Sequence, residues 1–579
     1  MKTVRPIRFR FNGKKKGDDG VPIVLTASAI EMSDFNLNPF VAFSGGFPLG
    51  IVPKFVLRKT LYPPVPENMD KTAKFAPYGL RKVEALLIEE FGEENVVTVH
   101  PFHLDKFVGS QTRIVVISTM DPLGLGFVSR TYTSILGLHG KPATLMEFEA
   151  LLSNKTLKKN RPKILVGGAG AWQLLNPKLK TDLGIDTIIL GQAEHSVVDV
   201  IRKAVNGEQL DEVIEMEAPE MSEIPTIRNP SIYGTVEITR GCGRGCHFCS
   251  PTMRKAYSFP LEHILKEVKL NAHNGSRMIL VQTDDLFLYK SRSGFIPNSQ
   301  AIIELIKRIN RIKGVEFIQI AHVSLPPVVY DPEIVKEIGP ILVEKSIWKY
   351  GNGEHCASVE IGIETGSTRL IREYMKGKPL PYKPEQWQDV VVQAAGILND
   401  SGIYPLATLI LGLPGEKEED VLETIGLLDK LKNDKIFYVP LFFVSEEGTT
   451  LARLEHMDIR GLSDLHWEIL STCWRHNVER WGPAFAPLIK IANVMPYRAR
   501  TRTQLSVFAL ATMKKKGNGA KAFFSFGTQL RYSSHRERFG DRQNLGKKVA
   551  KIARKKSTKF SLGKKRGFKG VSGRSWAIA

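Results

Sequence analysis

Short β-branched runs alternate with helix-period segments along most of this chain. Residues 21–26, 96–99, 112–119, 163–170 and 186–191 are apolar runs of strand length, and the last two lead into glycines. Residues 77–91 and 194–205 carry apolar positions at helical spacing. This alternation predicts a doubly wound parallel sheet, whose ligands sit at the carboxyl ends of its strands. Residues 36–69, rich in Pro, Gly and Phe, show no period, and residues 207–233 read as an acidic, Pro-containing linker. The alternation then resumes. Strands are predicted near 235–240, 277–283, 315–322, 357–364, 404–412 and 436–444, with helices near 260–273, 298–312, 331–342, 382–401 and 417–432. Six strands with crossover helices predict a partial (β/α)6 barrel, with its functional residues just after each strand.

The fold class is therefore α/β, in six segments. These are a basic leader (1–20), the sheet domain (21–206), the linker (207–233), the barrel (234–449), a helical C-terminal domain (450–512) and a basic tail (513–579). Trp467, Trp474 and Trp481 recur every seven residues on one helical face, a spacing that reads as core. A length of 579 residues suits about three or four domains. No apolar run approaches the length of a membrane span, and the first residues contain no apolar signal region. A cytoplasmic protein is expected. The net charge of +21 is uneven: residues 514–579 hold 20 Lys and Arg against Glu537 and Asp541, so the rest of the chain is close to neutral. Such a tail is expected to be disordered and to bind a phosphate polyanion. That partner is nucleic acid or an anionic membrane surface, and the latter would place the protein peripherally at the membrane.

Five cysteines exclude a disulfide framework, and three of them form Cys242-Gly-Arg-Gly-Cys246-His-Phe-Cys249 at the end of a predicted strand. Thiolates at such spacing suit an iron–sulfur cluster. Three of them fill three corners of a cubane and leave one iron open to a small substrate. The alternative is a zinc knuckle, which needs a fourth ligand, with His247 the available candidate. Cys356 and Cys473 read as buried core, with a substrate-radical partner as the other reading.

The cysteine loop, with Phe248 before its third cysteine, resembles the signature of the radical S-adenosylmethionine (SAM) superfamily. The resemblance implies a [4Fe–4S] cluster on Cys242, Cys246 and Cys249 whose open iron binds SAM. It also implies a reducing partner of ferredoxin or flavodoxin type. Gln282-Thr-Asp284-Asp285 resembles the acidic motif that contacts the SAM amino group, although either aspartate also suits a helix N-cap. Glu360-Ile-Gly-Ile-Glu364-Thr-Gly-Ser367 resembles the ribose and carboxylate contact strand, with Glu364 and Ser367 as contacts. Arg372 or Lys376 is the candidate partner for the SAM carboxylate. Gly412 and Gly415 resemble the adenine-side motif.

The sheet domain resembles the cobalamin-binding domain that precedes many radical SAM domains, with Gly167, Gly168 and Gly191 as cobalamin contacts. It departs from that pattern in having no histidine after its first strand. Asp121-Pro-Leu-Gly-Leu-Gly126 matches the ligating motif in spacing only, with Leu123 at the histidine position and after the third strand. With Ala76-Pro-Tyr-Gly-Leu-Arg-Lys-Val-Glu84, these segments look most like archaeal cobalamin-domain radical SAM proteins, a group that includes tetraether lipid ring synthases. The reaction implied is cobalamin-dependent C-methylation of an unactivated carbon. The alternatives are cobalamin-independent C–C bond formation on a membrane lipid, RNA modification, and a non-catalytic electron-transfer role. The sequence names neither the substrate nor the oligomeric state.

Overall fold

The computed structural model describes residues 19–481 except 51, 137–139, 251–253, 255 and 352. These residues all fall within one compact unit. The leader, the end of the helical segment and the basic tail lie outside the described residues.

β1 (Ile23–Ala27), β2 (Val96–Thr98), β3 (Ile114–Ser118), β4 (Lys163–Gly167), β5 (Thr187–Leu190) and β6 (Val213–Glu215) form one parallel sheet in the order β2-β1-β3-β4-β5-β6. Its central strands are buried on both faces, which is why they read as continuous apolar runs. Ile23 and Leu25 enter one core, and Val24 enters the other. The chain runs outward from β1 to β2 and returns to β3. The topological switch point therefore lies between β1 and β3.

Two stretches differ from the sequence-based expectation. Residues 207–233 are more than a linker, because they supply the edge strand β6. That strand has three residues with its outer two exposed, too few for a period to show. Residues 36–69 contain a 3-10 helix, Pro39–Gly46, and a short helix, Lys54–Thr60, both too brief to give a pattern.

All six predicted barrel strands are present. β7 (Val236–Glu237) leads into a short antiparallel pair, β8 (Thr239–Arg240) and β9 (Tyr257–Ser258), that flanks the cysteine loop. β10 (Met278–Gln282) and β11 (Phe317–Ile320) complete one parallel half-sheet with β7. After a small hairpin, β12 (Lys349–Tyr350) and β13 (Glu354–His355), the strands β14 (Glu360–Glu364), β15 (Leu406–Leu411) and β16 (Phe437–Phe442) form the other half. A bridge between His322 and Glu360 joins the halves into an open barrel. Ile279, Val281, Ile318, Ile320, Ile361, Ile363, Leu409 and Leu411 belong to the core under the outer helices. The alternate positions, among them Gln282, Glu360, Gly362, Glu364 and Thr408, therefore line the lumen.

β16 ends the barrel as an exposed edge, and side chains close it. Asn477 accepts from the Tyr438 N–H at 2.8 Å and donates to its carbonyl at 2.7 Å, imitating a neighbouring strand. Trp481 donates to the Ile436 carbonyl at 3.1 Å. Asn477 and Trp481 lie on the helix Asp464–Trp481. Its tryptophan stripe is core: Trp481 packs among Tyr350, Tyr404 and Phe437, and Trp474 meets Tyr132 edge-on. Thr131, on the helix Phe127–Leu136 of the sheet domain, accepts from the Phe442 N–H at 2.8 Å.

The sheet domain is fixed to the barrel by a buried polar cluster. Lys82, on the helix Tyr78–Phe91, pairs with Glu267, on the barrel helix Leu261–His273, at 2.7 Å. Lys82 also donates to the Pro225 carbonyl, while Glu267 accepts from Tyr78 and from the Ile227 N–H. Both charges are almost wholly removed from water, and Glu267 titrates below the usual glutamate value. Burial opposes its charge, but His263, Lys82 and the Ile227 N–H outweigh burial. Glu267→Ala would strand a buried ammonium and should destabilise the protein by about 3–5 kcal/mol. Lys82→Met with Glu267→Met should recover most of that loss. Denaturant midpoints of the single and double variants check both expectations.

Candidate active site

The cysteine loop leaves the barrel after β8 and turns through Gly241, Gly243 and Gly245, which have φ of 77°, 70° and 75°. This left-handed backbone is open to glycine at little cost. It carries Cys242, Cys246 and Cys249 around one short arc. Cys246 is buried, and the other two are half-buried. Burial pushes the Cys242 thiol up to about 11 and raises Cys246 as well, so cluster loading has to displace protons from these sulfurs. Among the described residues, no three Cys, His, Asp or Glu side chains gather around a single metal-ion position. A cubane takes each thiolate on a different iron, which three cysteines on one loop can supply. The His247 backbone N–H donates to the Tyr374 carbonyl, and its ring meets Tyr374 edge-on. Phe248 packs on the barrel core.

Arg244, inside the loop, was not singled out from the sequence. It is buried and anchors the loop to the barrel. Its guanidinium donates to the carbonyls of Gly377 and Leu380, to Ser324 at 3.1 Å and to Asp285 at 3.4 Å, and it lies 4.6 Å from the Phe295 ring centroid. Asp285 also accepts from the N–H groups of Phe287 and Ser324 and from the Ser324 hydroxyl. Every side of that carboxylate is therefore committed. Asp285 is a buried cap and loop anchor in this structure. Asp284 accepts from the Gly241 N–H at 2.9 Å, beside Cys242, and is the aspartate left for a ligand.

Glu364 ends β14 with φ of 60° at a register shift in the strand pairing. Its carboxylate pairs with Lys378 at 3.0 Å and accepts from Thr408 at 3.1 Å. Lys378 stands close enough to Cys246 and Cys249 to feel both thiols. Burial opposes its charge, but Glu364 and Cys246 outweigh burial and raise its pKa. Lys378 is thus the cation beside the cluster loop. Arg372 pairs instead with Glu385 in solvent, and Lys376 is exposed. The sequence offered three basic residues within seven positions and no way to tell which one turned inward.

The remaining candidates divide. Ser367 is wholly buried, caps the Leu370 N–H and donates to Asp420 at 2.5 Å. Gly412 has φ of 79°, which favours glycine, and a Cβ there would lie 2.5 Å from the Met457 side chain; a Cβ on Gly415 would meet nothing within 4 Å, and the Gly415 carbonyl accepts from Arg369. Cys356 and Cys473 are fully buried core thiols. His322 and Glu360 were not singled out. They pair at 3.2 Å between Asp284 and Glu364, and although burial works against the imidazolium, Glu360 and Asp284 raise His322 to about 9. Asp284, His322, Glu360, Glu364 and Lys378 thus form a charged arc around the lumen that closes back on the cysteine loop.

The carboxyl edge of the sheet meets the barrel mouth. Arg240, two residues before Cys242, holds Glu237 through two 2.7 Å bonds and reaches Gln192 at 2.8 Å and Glu194 at 2.9 Å in the loop after β5. Glu446, after β16, lies near Asp121, after β3. Of the three glycines assigned to cobalamin, two are closely packed against neighbouring backbone. A Cβ on Gly168 would lie 2.5 Å from the Thr119 carbonyl oxygen, and one on Gly191 would lie 2.8 Å from that of Met216. Both glycines are required by packing within the sheet domain, while Gly167 makes only ordinary contact with Ile189. Asp121 is held by Gly126, Ser129 and Gln173.

This site defines a class. Residues 236–428 match the family model described as Radical SAM superfamily, and the domain they form is a radical SAM domain. Such a domain implies a [4Fe–4S] cluster and SAM as its cofactors. The thiols, the adjoining cations and the polar lumen fit both. Among curated proteins, the chain is similar to the tRNA-2-methylthio-N(6)-dimethylallyladenosine synthase of Thermotoga petrophila, 24% identical over 281 residues, covering 48% of this chain and 58% of that protein. The enzyme of the same name from Thermodesulfovibrio yellowstonii is 28% identical over 316 residues, covering 53% of this chain and 66% of that one. The chain therefore spans about three-fifths of the length of these relatives. Among solved structures, the radical SAM methyltransferase TsrM from Kitasatospora setae, with tryptophan and a SAM analogue bound, shares the fold. The TM-score is 0.50 and the identity 13%, over 74% of each chain.

Asp284 and Asp285 should separate experimentally. Asp285→Asn, like Arg244→Ala, should lower cluster retention by roughly 10-fold or more, because each loosens the loop that holds the thiolates. Asp284→Asn should leave iron and sulfide content unchanged and weaken the SAM-induced change in the EPR spectrum of the reduced cluster. Metal analysis and EPR of the reconstituted variants check this.

Proposed function

We propose that this protein is a radical SAM enzyme that functionalises an unactivated carbon, with cobalamin-dependent C-methylation as its reaction. The observation that carries the reading is the facing of two carboxyl edges. Arg240 ties the loop after β5 to the base of the cysteine loop, and Glu446 meets Asp121 across the same boundary. Ligands of parallel sheets and of parallel barrels both collect at carboxyl ends. A cofactor on the sheet domain and SAM on the barrel would therefore share one enclosed space.

When bound, the reduced cluster would supply the electron that cleaves SAM to a 5′-deoxyadenosyl radical, and cobalamin would supply a methyl group. The chain's residues orient and enclose. Cys242, Cys246 and Cys249 hold the cluster. Asp284 accepts from the SAM ammonium, Lys378 offsets the negative charge of the thiolates, and Glu364 accepts from sugar hydroxyls. Gly415 leaves open space on the adenine side. The helix Phe127–Leu136, bonded to β16, helps to close the barrel's open edge against water.

The similarity to tRNA-modifying synthases favours RNA as the substrate class over lipid, and the basic tail is compatible with RNA. Salt-sensitive tRNA binding that disappears when residues 514–579 are removed would support this. The reaction itself is tested by anaerobic turnover with SAM, reductant and hydroxocobalamin. Methyl transfer should yield 5′-deoxyadenosine and S-adenosylhomocysteine together. 5′-Deoxyadenosine alone would replace methylation with hydrogen abstraction followed by bond formation or oxidation. Replacing any one of the three cysteines by Ala should abolish both products.

A further inference from the structure

The amino-terminal end of the sheet, opposite the edge that meets the barrel, carries a dense basic face. The short helix Lys155–Asn160 buries Leu157 and exposes Lys155, Lys158 and Lys159 at positions i, i+3 and i+4. Arg161 follows that helix, Arg113 precedes β3, and Lys106 lies on the helix Leu104–Phe107; all three are exposed. Hydrogen bonds join these elements into one surface. Asn160 donates to the Val108 carbonyl at 3.4 Å, and the Lys163 N–H donates to the Arg113 carbonyl at 2.9 Å. None of the six cations has an ionic partner among the described residues. Residues 104–113 and 153–163 contain one acid, Asp105. Other surface helices pair such cations, as Arg202 with Glu90, Lys307 with Glu337 and Arg308 with Glu304. Like charges one turn apart destabilise a helix, so this face is costly until a counter-charge covers it.

The leader joins the fold at the same face. The Val21 N–H donates to the Phe107 carbonyl at 2.8 Å, and the Gln111 N–H donates to that of Asp19 at 2.7 Å. Residues 1–18 bring seven further Lys and Arg against Asp18, with Phe9 and Phe11 interleaved. Fixed cations on three elements suit a ligand with many negative charges in a row, and a phosphate backbone gains affinity there by releasing counterions. An anionic membrane is the other polyanion, but faces seated on membranes add apolar side chains that insert. No large apolar side chain of residues 104–113 or 153–163 is exposed. We propose that this end of the sheet, with the leader attached to it, grips the backbone of an RNA, separately from the tail and from the barrel mouth. This rests on the RNA reading above and adds a structured contact surface to it. β3 has five residues, so the face stands roughly 17 Å, one strand length, from the carboxyl edge. It holds the body of a folded RNA and leaves the mouth free.

Two readouts on the full chain test this. The first is acetylation of surface lysines, mapped by mass spectrometry with and without bulk transfer RNA. RNA should protect Lys106, Lys155, Lys158 and Lys159, while Lys313 and Lys336, exposed on the outside of the barrel, should react as before. The second is tRNA affinity against salt for the triple variant Lys155→Gln, Lys158→Gln and Lys159→Gln. Glutamine keeps the helix propensity, and circular dichroism checks the fold. Losing three phosphate contacts should weaken binding by roughly 10-fold or more and lower the slope of log affinity against log salt by about 2–3. Iron content and reductant-driven SAM cleavage should match wild type, because the replaced residues lie at the far end of the sheet. Failure of either readout, in a wild-type chain that binds tRNA, would overturn the grip and leave the RNA reading standing. Protection by vesicles of phosphatidylglycerol and phosphatidylcholine, but not by tRNA, would overturn it in favour of a membrane surface. A wild-type chain that binds no tRNA would overturn the RNA reading itself.

Discussion

The buried pair of Lys82 and Glu267 sets the geometry on which the rest depends. It joins the helix before β2 to the first helix of the barrel, and Tyr78, Pro225 and Ile227 satisfy its remaining bonds. Charges taken this far from water are worth little as net stability, but they are strict about geometry, because any other docking would strand one of them. The docking they enforce brings the carboxyl edge of the sheet against the barrel mouth. Without it, Arg240 would have no Gln192 or Glu194 to reach, and Glu446 would not face Asp121.

A second constraint operates at the cysteine loop. Positive-φ glycines make its arc accessible, but glycines also make it loose. Arg244 compensates by spending its guanidinium on carbonyls, a hydroxyl, a carboxylate and an aromatic face. Asp285 is consumed in holding Arg244 and Ser324. The adjacent Asp284 remains directed by the Gly241 N–H and is free for chemistry. Two neighbouring identical residues therefore take different partners, one fixing Arg244 and Ser324 and the other a backbone N–H of the cysteine loop. The lumen arc from Asp284 through His322, Glu360 and Glu364 to Lys378 mixes three acids with two bases, paired as His322–Glu360 and Lys378–Glu364. That pattern suits a zwitterionic, cationic molecule such as SAM better than an apolar one.

The periodicity placed all six barrel strands and their main helices because each satisfies its pattern locally. It missed β6 and the helices at 39–46 and 54–60, which are too short to repeat a period. The three cysteines were legible as a set because their spacing is itself the signal. Arg244, Lys378 and His322 carried no such signal, since single charged residues look alike in a sequence. Ser367, Asp285, Gly168 and Gly191 resembled ligand contacts in sequence, and the structure adds capping, anchoring and close packing at these positions, which no local pattern showed.

The sequence by itself determined the α/β alternation, the barrel and the cluster-binding loop, because those follow from spacings of a few residues along one backbone. Only the tertiary structure decided which charges turn inward. It also decided that two carboxyl edges, distant in the chain, face one another. Burial and pairing are set by contacts across tens to hundreds of residues, and no local pattern records them.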